Sequence, residues 1–532
     1  MSTRTDSAGT AAPTRAGRRE WVGLAVLALA CLVVTMDLTV LLLAVPSLTQ
    51  DLAPSATQLL WIIDTYGFLM AGALVVMGAL GDRLGRRRLL MTGAAGFITA
   101  SVAASLATSP EMLIAARGLQ GLAGAALLPS TMALVFGMFA DGRQRQAALG
   151  MVMGSFALGA ALGPLCGGVL LEAWSWRSVF VPNVPVGLLL LALAPRLLPE
   201  VRNAAAGRVD LASAALSVAG ILATVFAVKD IAQNGLSAVV VAVSVAGAAA
   251  LVVFGARQRR LAQPLVDLAS FRRPAFSTAL GANAVAMFVT FGTFFFTAQF
   301  LQLVVGLSPL RAGLWGLPPV VAMMIAAGGV VPKLAAKVRP AALLSSGMAV
   351  TAVGLLALST VDASTGAPTV VALLLVVVVG LAPVSTISLN LAIGAAPPEQ
   401  AGSVAGLGQA ANELGGALGI AVLGTIGTVA YRRDVDGALE GLPAGVAHQA
   451  GDTLGGAVAL AGRLPDGVID AARAAFAEGL GAAATVGAVV LLVTAAVTAV
   501  VLRGVPPLAE PAGEPGTTHD ETAAAGDLAS IA

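Results

Sequence analysis

The chain has 532 residues, of which 58% are hydrophobic and 11% charged. Soluble domains lie nearer 45–50% apolar and about 25% charged, so a single water-facing core is excluded. The net charge of +2 says little by itself, but its placement along the chain says a good deal.

Residues 1–20 are rich in Ser, Thr, Ala and Arg and read as a disordered cytoplasmic leader. The apolar run from Trp21 to about Val45 exceeds a signal-peptide core of roughly 7–15 residues, so it is expected to be a first membrane helix. Further apolar runs, each near the roughly 20 residues that cross a bilayer, follow at 57–81, 89–107, 111–136, 147–171, 178–197, 210–229 and 236–255. The series continues at 275–303, 310–331, 341–360, 368–393, 401–430 and 483–502. With the first at 22–46, these make fourteen predicted spans in an all-α polytopic membrane protein. A long outward loop is expected at 431–482, within which Pro465 to Leu480 reads as a short amphipathic helix on the membrane or as a surface hairpin. The segment 506–532, with Pro, Gly, Thr, Glu and Asp, reads as a disordered cytoplasmic tail.

Basic residues test this count, because cytoplasmic loops collect Lys and Arg. With the N-terminus inside, 22 of the 30 fall in inner segments and seven in outer ones. Arg117 is left within a helix. Cys31 and Cys166 lie in apolar runs, and His448 and His519 have no ligand-like spacing. No disulfide framework, metal site or other cofactor is therefore expected. No G-x-x-x-x-G-K-S/T loop occurs, which speaks against an ATP-driven pump. No catalytic constellation or attached soluble domain suggests an enzyme, and no nucleic-acid partner is expected.

Between the second and third spans lies Gly78-Ala-Leu-Gly-Asp82-Arg83-Leu-Gly85-Arg86-Arg87-Arg88. It reads as a tight turn in which Gly85 adopts a φ that other residues avoid, with arginines at an anionic leaflet. In the fifth span, Gly159, Gly163 and Gly167 recur every four residues as one smooth face beside Pro164, followed by Gly168. A small-residue face allows close helix contact, and proline adds a bend, as a rocking interface between two halves would need.

The G-x-L-x-D-R-x-G-R-R pattern resembles the signature loop of the major facilitator superfamily. That resemblance implies two six-helix bundles, here at 21–200 and 261–505, with two inserted helices at 201–260. It also implies that Gly78, Asp82, Arg83, Gly85, Arg86 and Arg87 form a latch for the outward-open state. A degenerate echo, Pro332-Lys-Leu-Ala-Ala-Lys-Val-Arg339, follows the tenth span. Met36-Asp37-Leu-Thr39 through Pro46, Leu113-Ile-Ala-Ala-Arg117-Gly-Leu-Gln120-Gly121 and the Gly154–Gly168 segment are similar to motifs of the fourteen-helix drug:proton antiporters. So are Trp176-Arg177-Ser-Val-Phe180 with Asn183-Val-Pro185-Val-Gly187, and Gly306-Leu-Ser308-Pro309 through Gly313. Trp61-Ile-Ile-Asp64-Thr-Tyr66 resembles the branch that exports quaternary ammonium compounds. The chain departs from some members of that branch at Met323 and Gln409, where they carry acids, so monovalent lipophilic cations and neutral antibiotics are the expected substrates rather than divalent cations.

A charge near the bilayer centre costs on the order of 2.5–3.5 kcal/mol, and Asp37, Asp64, Arg117 and Glu413 stand in predicted spans. At about 1.5 Å per residue, the first three fall in one outer-half layer and Glu413 near the midplane. A buried carboxylate holds its proton tightly and a neighbouring arginine loosens it, so Asp37 and Arg117 are expected to couple protons. Asp37, Asp64 and Glu413 would offer negative charge to a substrate. Trp61, Tyr66 and Phe294 to Phe296 would offer cation–π contacts. The expectation is a monomeric inner-membrane antiporter with both termini cytoplasmic, driven by the proton gradient. It would export lipophilic or cationic small molecules, or alternatively one endogenous antibiotic.

Overall fold

The computed structural model describes residues 16–202, 210–234, 237–261, 268, 270–394 and 401–507, and all regular structure in them is helical. The first group of helices is α1 (Arg18–Leu52), α2 (Ala56–Leu84), α3 (Arg86–Ser105), α4 (Pro110–Met138), α5 (Gly142–Ala173) and α6 (Asn183–Leu197). A hairpin of α7 (Leu211–Asn234) and α8 (Ala238–Gln258) follows. The second group is α9 (Pro274–Gln299), α10 (Pro309–Ile325) with its short continuation α11 (Val331–Ala335), α12 (Pro340–Leu358), α13 (Ala367–Gly394) and α14 (Ala401–Val435). Two short helices, α15 (Ala444–Asp452) and α16 (Leu454–Ala459), lead to α17 (Val468–Val501). Residues 18–20, expected in the leader, are the first turn of α1. The leader's first fifteen residues, and all but the start of the expected tail, lie outside the described residues.

Local chemistry sets the helix starts. Ser55 accepts from the Gln58 amide while the Gln58 side chain accepts from the Ser55 amide, so two orphan donors at the start of α2 are satisfied together. Ser109, Asp141 and Ser308 cap α4, α5 and α10 with their side chains, and Pro110 and Pro309 occupy first-turn positions where a missing N–H costs nothing. Single-turn π segments at Phe300–Val304 and Ala326–Val330 extend α9 and α10.

Twelve described helices are long and apolar enough to cross a bilayer, or thirteen when Ala56–Leu74 and Val76–Leu84, bent by 53°, count as one. The span expected at 210–229 falls on α7, whose apolar stretch among the described residues, Ala215–Thr224, is shorter than a full span. The chain is a multi-pass membrane protein. Large apolar side chains on α8 and α17, among them Val245, Val252 and Val493, are exposed in a way that suits hydrocarbon as the solvent.

The segment from Pro465 to Leu480 differs from both expectations. It opens α17 and runs straight into the span. Its small residues explain this: Gly479 lies against the Gly427 carbonyl of α14 and Gly481 against the Ser359 carbonyl at the end of α12, so the helix is drawn into the bundle. The expected loop 431–482 therefore holds the end of α14, α15, α16 and the first turns of α17. The Tyr431 hydroxyl donates to the Ala450 carbonyl at 2.7 Å, and Arg432 pairs with Asp452 at 2.8 Å, which ties the short helices to α14.

Within the first group α1 packs on α5 and α6, and α4 on α2 and α3. Within the second, α9 packs on α14 and α13, and α12 on α13 and α17. The groups meet along α2 with α14 and α5 with α10, and the α7–α8 hairpin rests on α2 and α14. At the end of the bundle that carries Asp51, Gln302 donates to the Leu43 carbonyl at 2.9 Å and Ser308 donates to Glu172 at 3.2 Å, both across the two groups.

At the α5–α10 seam, a Cβ added at Gly313 would collide with the Pro164 carbonyl, which is backbone and cannot swing aside. Gly313→Val is expected to cost about 1–3 kcal/mol through overpacking, read as a lower melting temperature of the purified protein. Gly316→Ala, whose methyl would meet only the Pro164 Cβ at 3.8 Å, is expected to leave the melting temperature unchanged.

Candidate functional site

The polar centre of the first group lies among α1, α3, α4 and α6. Asp37 of α1 and Arg117 of α4 form an ion pair at 2.5 Å with both side chains 1% exposed. The same guanidinium nitrogen donates to Gln120 Oε1 at 2.9 Å, and the Arg117 Nε donates to the Ile62 carbonyl at 3.4 Å. The guanidinium lies over the Tyr66 ring, 4.5 Å from its centroid. The other carboxylate oxygen of Asp37 accepts from Asn183 Nδ2 of α6 at 2.7 Å, with Gln120 Nε2 farther off at 3.5 Å. Both amides also donate to Ser101 of α3, at 3.1 and 3.0 Å. Each charge thus has several directed partners, as a pair removed from water requires. Glycines let these helices approach: Gly121 packs on the Tyr66 backbone and Gly124 against its ring.

The structure brings Asp37 and Arg117 together and encloses them inside the first group. Asp37 faces α3, α4 and α6 rather than the boundary with the second group, so in this conformation it offers no surface to a substrate. Tyr66, fully buried beneath Arg117, offers none either.

Asp64 and Glu413 occupy a different place. Leu60 meets Gly424 of α14, and Gly67 meets Ala417 and the Glu413 carbonyl. Asp64, four residues after Leu60 and three before Gly67, is on the same face of α2 and points to the α2–α14 seam. It is 1% exposed, whereas Trp61, one turn nearer the Asp51 end, is half-buried. Glu413 is half-buried and accepts from Gln409 Nε2 at 2.8 Å. Its neighbour Asn412 bonds to the buried Asn283 of α9. Tyr66 lies beneath Arg117 and the next residue, Gly67, meets the Glu413 carbonyl, so this turn of α2 adjoins both the enclosed pair and the seam. Phe295 and Phe296 are packing residues that meet edge to face, and Phe296 also lies tilted against Phe476 of α17.

At the opposite end, Gly85 has φ +108°, and a Cβ there would strike the Glu200 carboxylate. Among the described residues, Asp82 accepts from its own loop's Arg86 at 2.9 Å. The backbone N–H of Arg86 donates to the Val201 carbonyl at 2.9 Å, and that of Arg87 to Glu200 at 3.1 Å. The Arg87 side chain reaches the Pro195 and Leu198 carbonyls at 3.3 and 3.0 Å. Gly78 has nothing within 4 Å of an added Cβ, and Arg83 is exposed. Among the described residues, Gly85, Arg86 and Arg87 are held by residues 195–201, at and just past the end of α6, within their own group.

The glycine face of α5 also serves a different partner from the one expected. Gly159 packs on the Leu32 carbonyl, Gly163 on Thr39 and Gly167 on Val40, all on α1. The smooth stripe therefore fixes α1 within its own group. The boundary between groups is met instead by Pro164 and by Gly168, which lies against Pro309 and Leu310 of α10.

Ser101, Gln120, Asn183 and Glu200 are the members of these networks that charge counting overlooks. Ser101, Gln120 and Asn183 are neutral, but each is a polar side chain in an apolar helix that is fully buried here. Glu200 is a lone acid just past an apolar helix, amid basic residues.

A family profile described as Major Facilitator Superfamily matches residues 27–420. The chain is 41% identical over 503 residues to the "Multidrug efflux pump LfrA" of Mycolicibacterium smegmatis, covering 93% of this chain and 99% of that protein. It is 32% identical to the "Tetracenomycin C resistance and export protein" of Streptomyces glaucescens, covering 90% and 91%. Among solved structures, an inward-facing, unoccupied bacterial homolog of the human lysosomal transporter Spinster superposes with a TM-score of 0.65 at 18% identity, over 91% of this chain and 97% of that one.

Arg117→Met leaves the Asp37 charge without its counter-ion and is expected to destabilise the protein by about 3–5 kcal/mol. Thermal unfolding in detergent reads this as a large fall in melting temperature. Asp37→Asn combined with Arg117→Met is expected to recover most of the loss. Glu200→Gln is expected to raise protease cleavage in the Arg83–Arg88 loop while leaving the melting temperature nearly unchanged.

Proposed function

This chain belongs to the Major Facilitator Superfamily, and on that premise we propose that it is a proton-coupled multidrug efflux antiporter working by alternating access. The observation that carries this reading is the Asp37–Arg117 ion pair, enclosed at 2.5 Å beside a seam that holds two further carboxylates. A carboxylate with a breakable counter-ion is a proton-binding group, and carboxylates where two groups part suit cationic cargo. The extent of the likeness to LfrA supports a broad drug range.

In this reading the chain is a fourteen-span inner-membrane monomer, and the distribution of basic residues supports a cytoplasmic position for both termini and the Arg86 loop. The Asp51 end is then the outer side, and the bonds across the groups there describe a transporter closed to the outside. A proton reaching Asp37 removes the charge that Arg117 neutralises. The guanidinium then keeps Gln120, the Ile62 carbonyl and the Tyr66 ring as partners. Tyr66 transmits the change to the α2–α14 seam, where Asp64, Trp61 and Glu413 hold lipophilic cations. The Gly78–Arg87 loop latches the groups when the outer side opens, exchanging Glu200 for a partner on the second group.

The test is dequenching of a pH probe in inverted vesicles on adding compounds from a panel of monovalent, divalent and neutral drugs. Asp37→Asn is expected to abolish drug-induced proton release, and normal release from that variant removes the coupling assignment. Glu413→Gln is expected to raise KM for monovalent lipophilic cations about tenfold, or about 1.4 kcal/mol, while leaving neutral compounds alone. A response to a single compound across the panel would support instead the dedicated antibiotic exporter to which the tetracenomycin likeness points.

A further inference from the structure

We propose that Asn183 is a positioning residue for proton coupling, one that serves the Asp37 carboxyl in both protonation states by turning its amide over. The inference rests on the reading of Asp37 as the coupled proton site. Asn183 begins α6 and is 1% exposed. Its Nδ2 donates to Asp37 at 2.7 Å and to Ser101 at 3.1 Å, yet its Oδ1 has no hydrogen-bond partner among the described residues. A buried amide oxygen without a donor is costly, so this one calls for an explanation.

The amide has two ends of opposite polarity, exchanged by a half turn about χ2. An ionised carboxylate only accepts, so it must be met by Nδ2, as observed. A protonated carboxyl carries an O–H that needs an acceptor, and the free Oδ1 supplies one after the half turn. Ser101 follows either arrangement, since a hydroxyl both donates and accepts. Gln120 cannot do the same. Its Oε1 already accepts from Arg117 at 2.9 Å, so turning it over would break that bond. The charged and titratable groups around Asp37 are Arg117 of α4 and, beneath that guanidinium, Tyr66 of α2. Ser101 of α3 and Asn183 of α6 are neutral, and α5 presents its glycines to α1.

The experiment compares pH profiles of drug-induced proton release in inverted vesicles for wild type, Asn183→Leu and Asn183→Ser, alongside drug affinity by fluorescence quenching. Asn183→Leu keeps the volume and removes both polar ends. Its half-maximal pH is expected to move about one unit towards alkaline, since a donor to the carboxylate is lost, with drug affinity within about twofold of wild type. Asn183→Ser, retaining a group that donates or accepts, is expected to return part of the shift. A profile of Asn183→Leu that superimposes on wild type overturns the assignment, as does a change confined to drug affinity. If leucine prevents assembly, Asn183→Ala decides the matter: an alkaline shift supports the assignment and an unmoved profile defeats it. Failure of the underlying reading is distinguishable, because Asp37→Asn would then still release protons.

Discussion

An arginine and an aspartate held 2.5 Å apart with 1% of each side chain exposed constrain everything around them. Removing two charges from water is expensive, and their attraction offsets the cost only when every remaining donor and acceptor is also met. That requirement recruits Gln120 from α4, Asn183 from α6, Ser101 from α3, the Ile62 carbonyl and the Tyr66 ring from α2. Five helices are thereby held in register by one polar knot inside an otherwise apolar group. The same knot gives the protein a carboxyl group whose charge state matters to all five.

Glycine placement determines what can move around that knot. On α5, Gly159, Gly163 and Gly167 bring α1 close, so the helix bearing Asp37 is fixed to its own group. One residue along the helix surface, Pro164 and Gly168 face α10, where Gly313 allows near backbone contact across the boundary. On α2, Tyr66 belongs to the inside of the first group and the next residue, Gly67, to the seam with α14. Adjacent positions of one helix thus join the enclosed ion pair to the surface on which the groups meet. Coupling over such a distance needs no long chain of contacts.

Much of this was legible in the sequence because lipid imposes simple rules. Apolar runs near the bilayer's width marked the helices, and the scarcity of charge in them made Asp37, Asp64, Arg117 and Glu413 conspicuous. Helix rise placed Asp37 and Arg117 at similar depth, which is the condition for a pair, but depth carries no azimuth. The enclosure of Asp37 and Tyr66 inside one group, away from the seam, follows from how α3 and α6 close around α1, a tertiary fact. The α5 stripe was readable as a close-contact face, but its partner was not, since α1 and α10 flank α5 on adjoining sides. Gln120 and Asn183 stand in the sequence as motif positions with no role attached, and Ser101 does not stand out, because neutral polar residues cost a membrane helix little; Glu200 does not stand out because its partners are more than a hundred residues earlier. The opening of α17 reads in the sequence as an amphipathic surface helix or a hairpin because its pattern does not show the carbonyls of Gly427 and Ser359 against which Gly479 and Gly481 pack.

In the proposed mechanism, drug and proton compete through the charge state of Asp37. Its most direct test is equilibrium proton counting: the purified protein in weakly buffered detergent with a pH indicator, titrated with a monovalent lipophilic cation. Wild type is expected to release protons in proportion to drug bound, and Asp37→Asn to bind the drug while releasing none. Equal proton release from the two proteins would contradict the account.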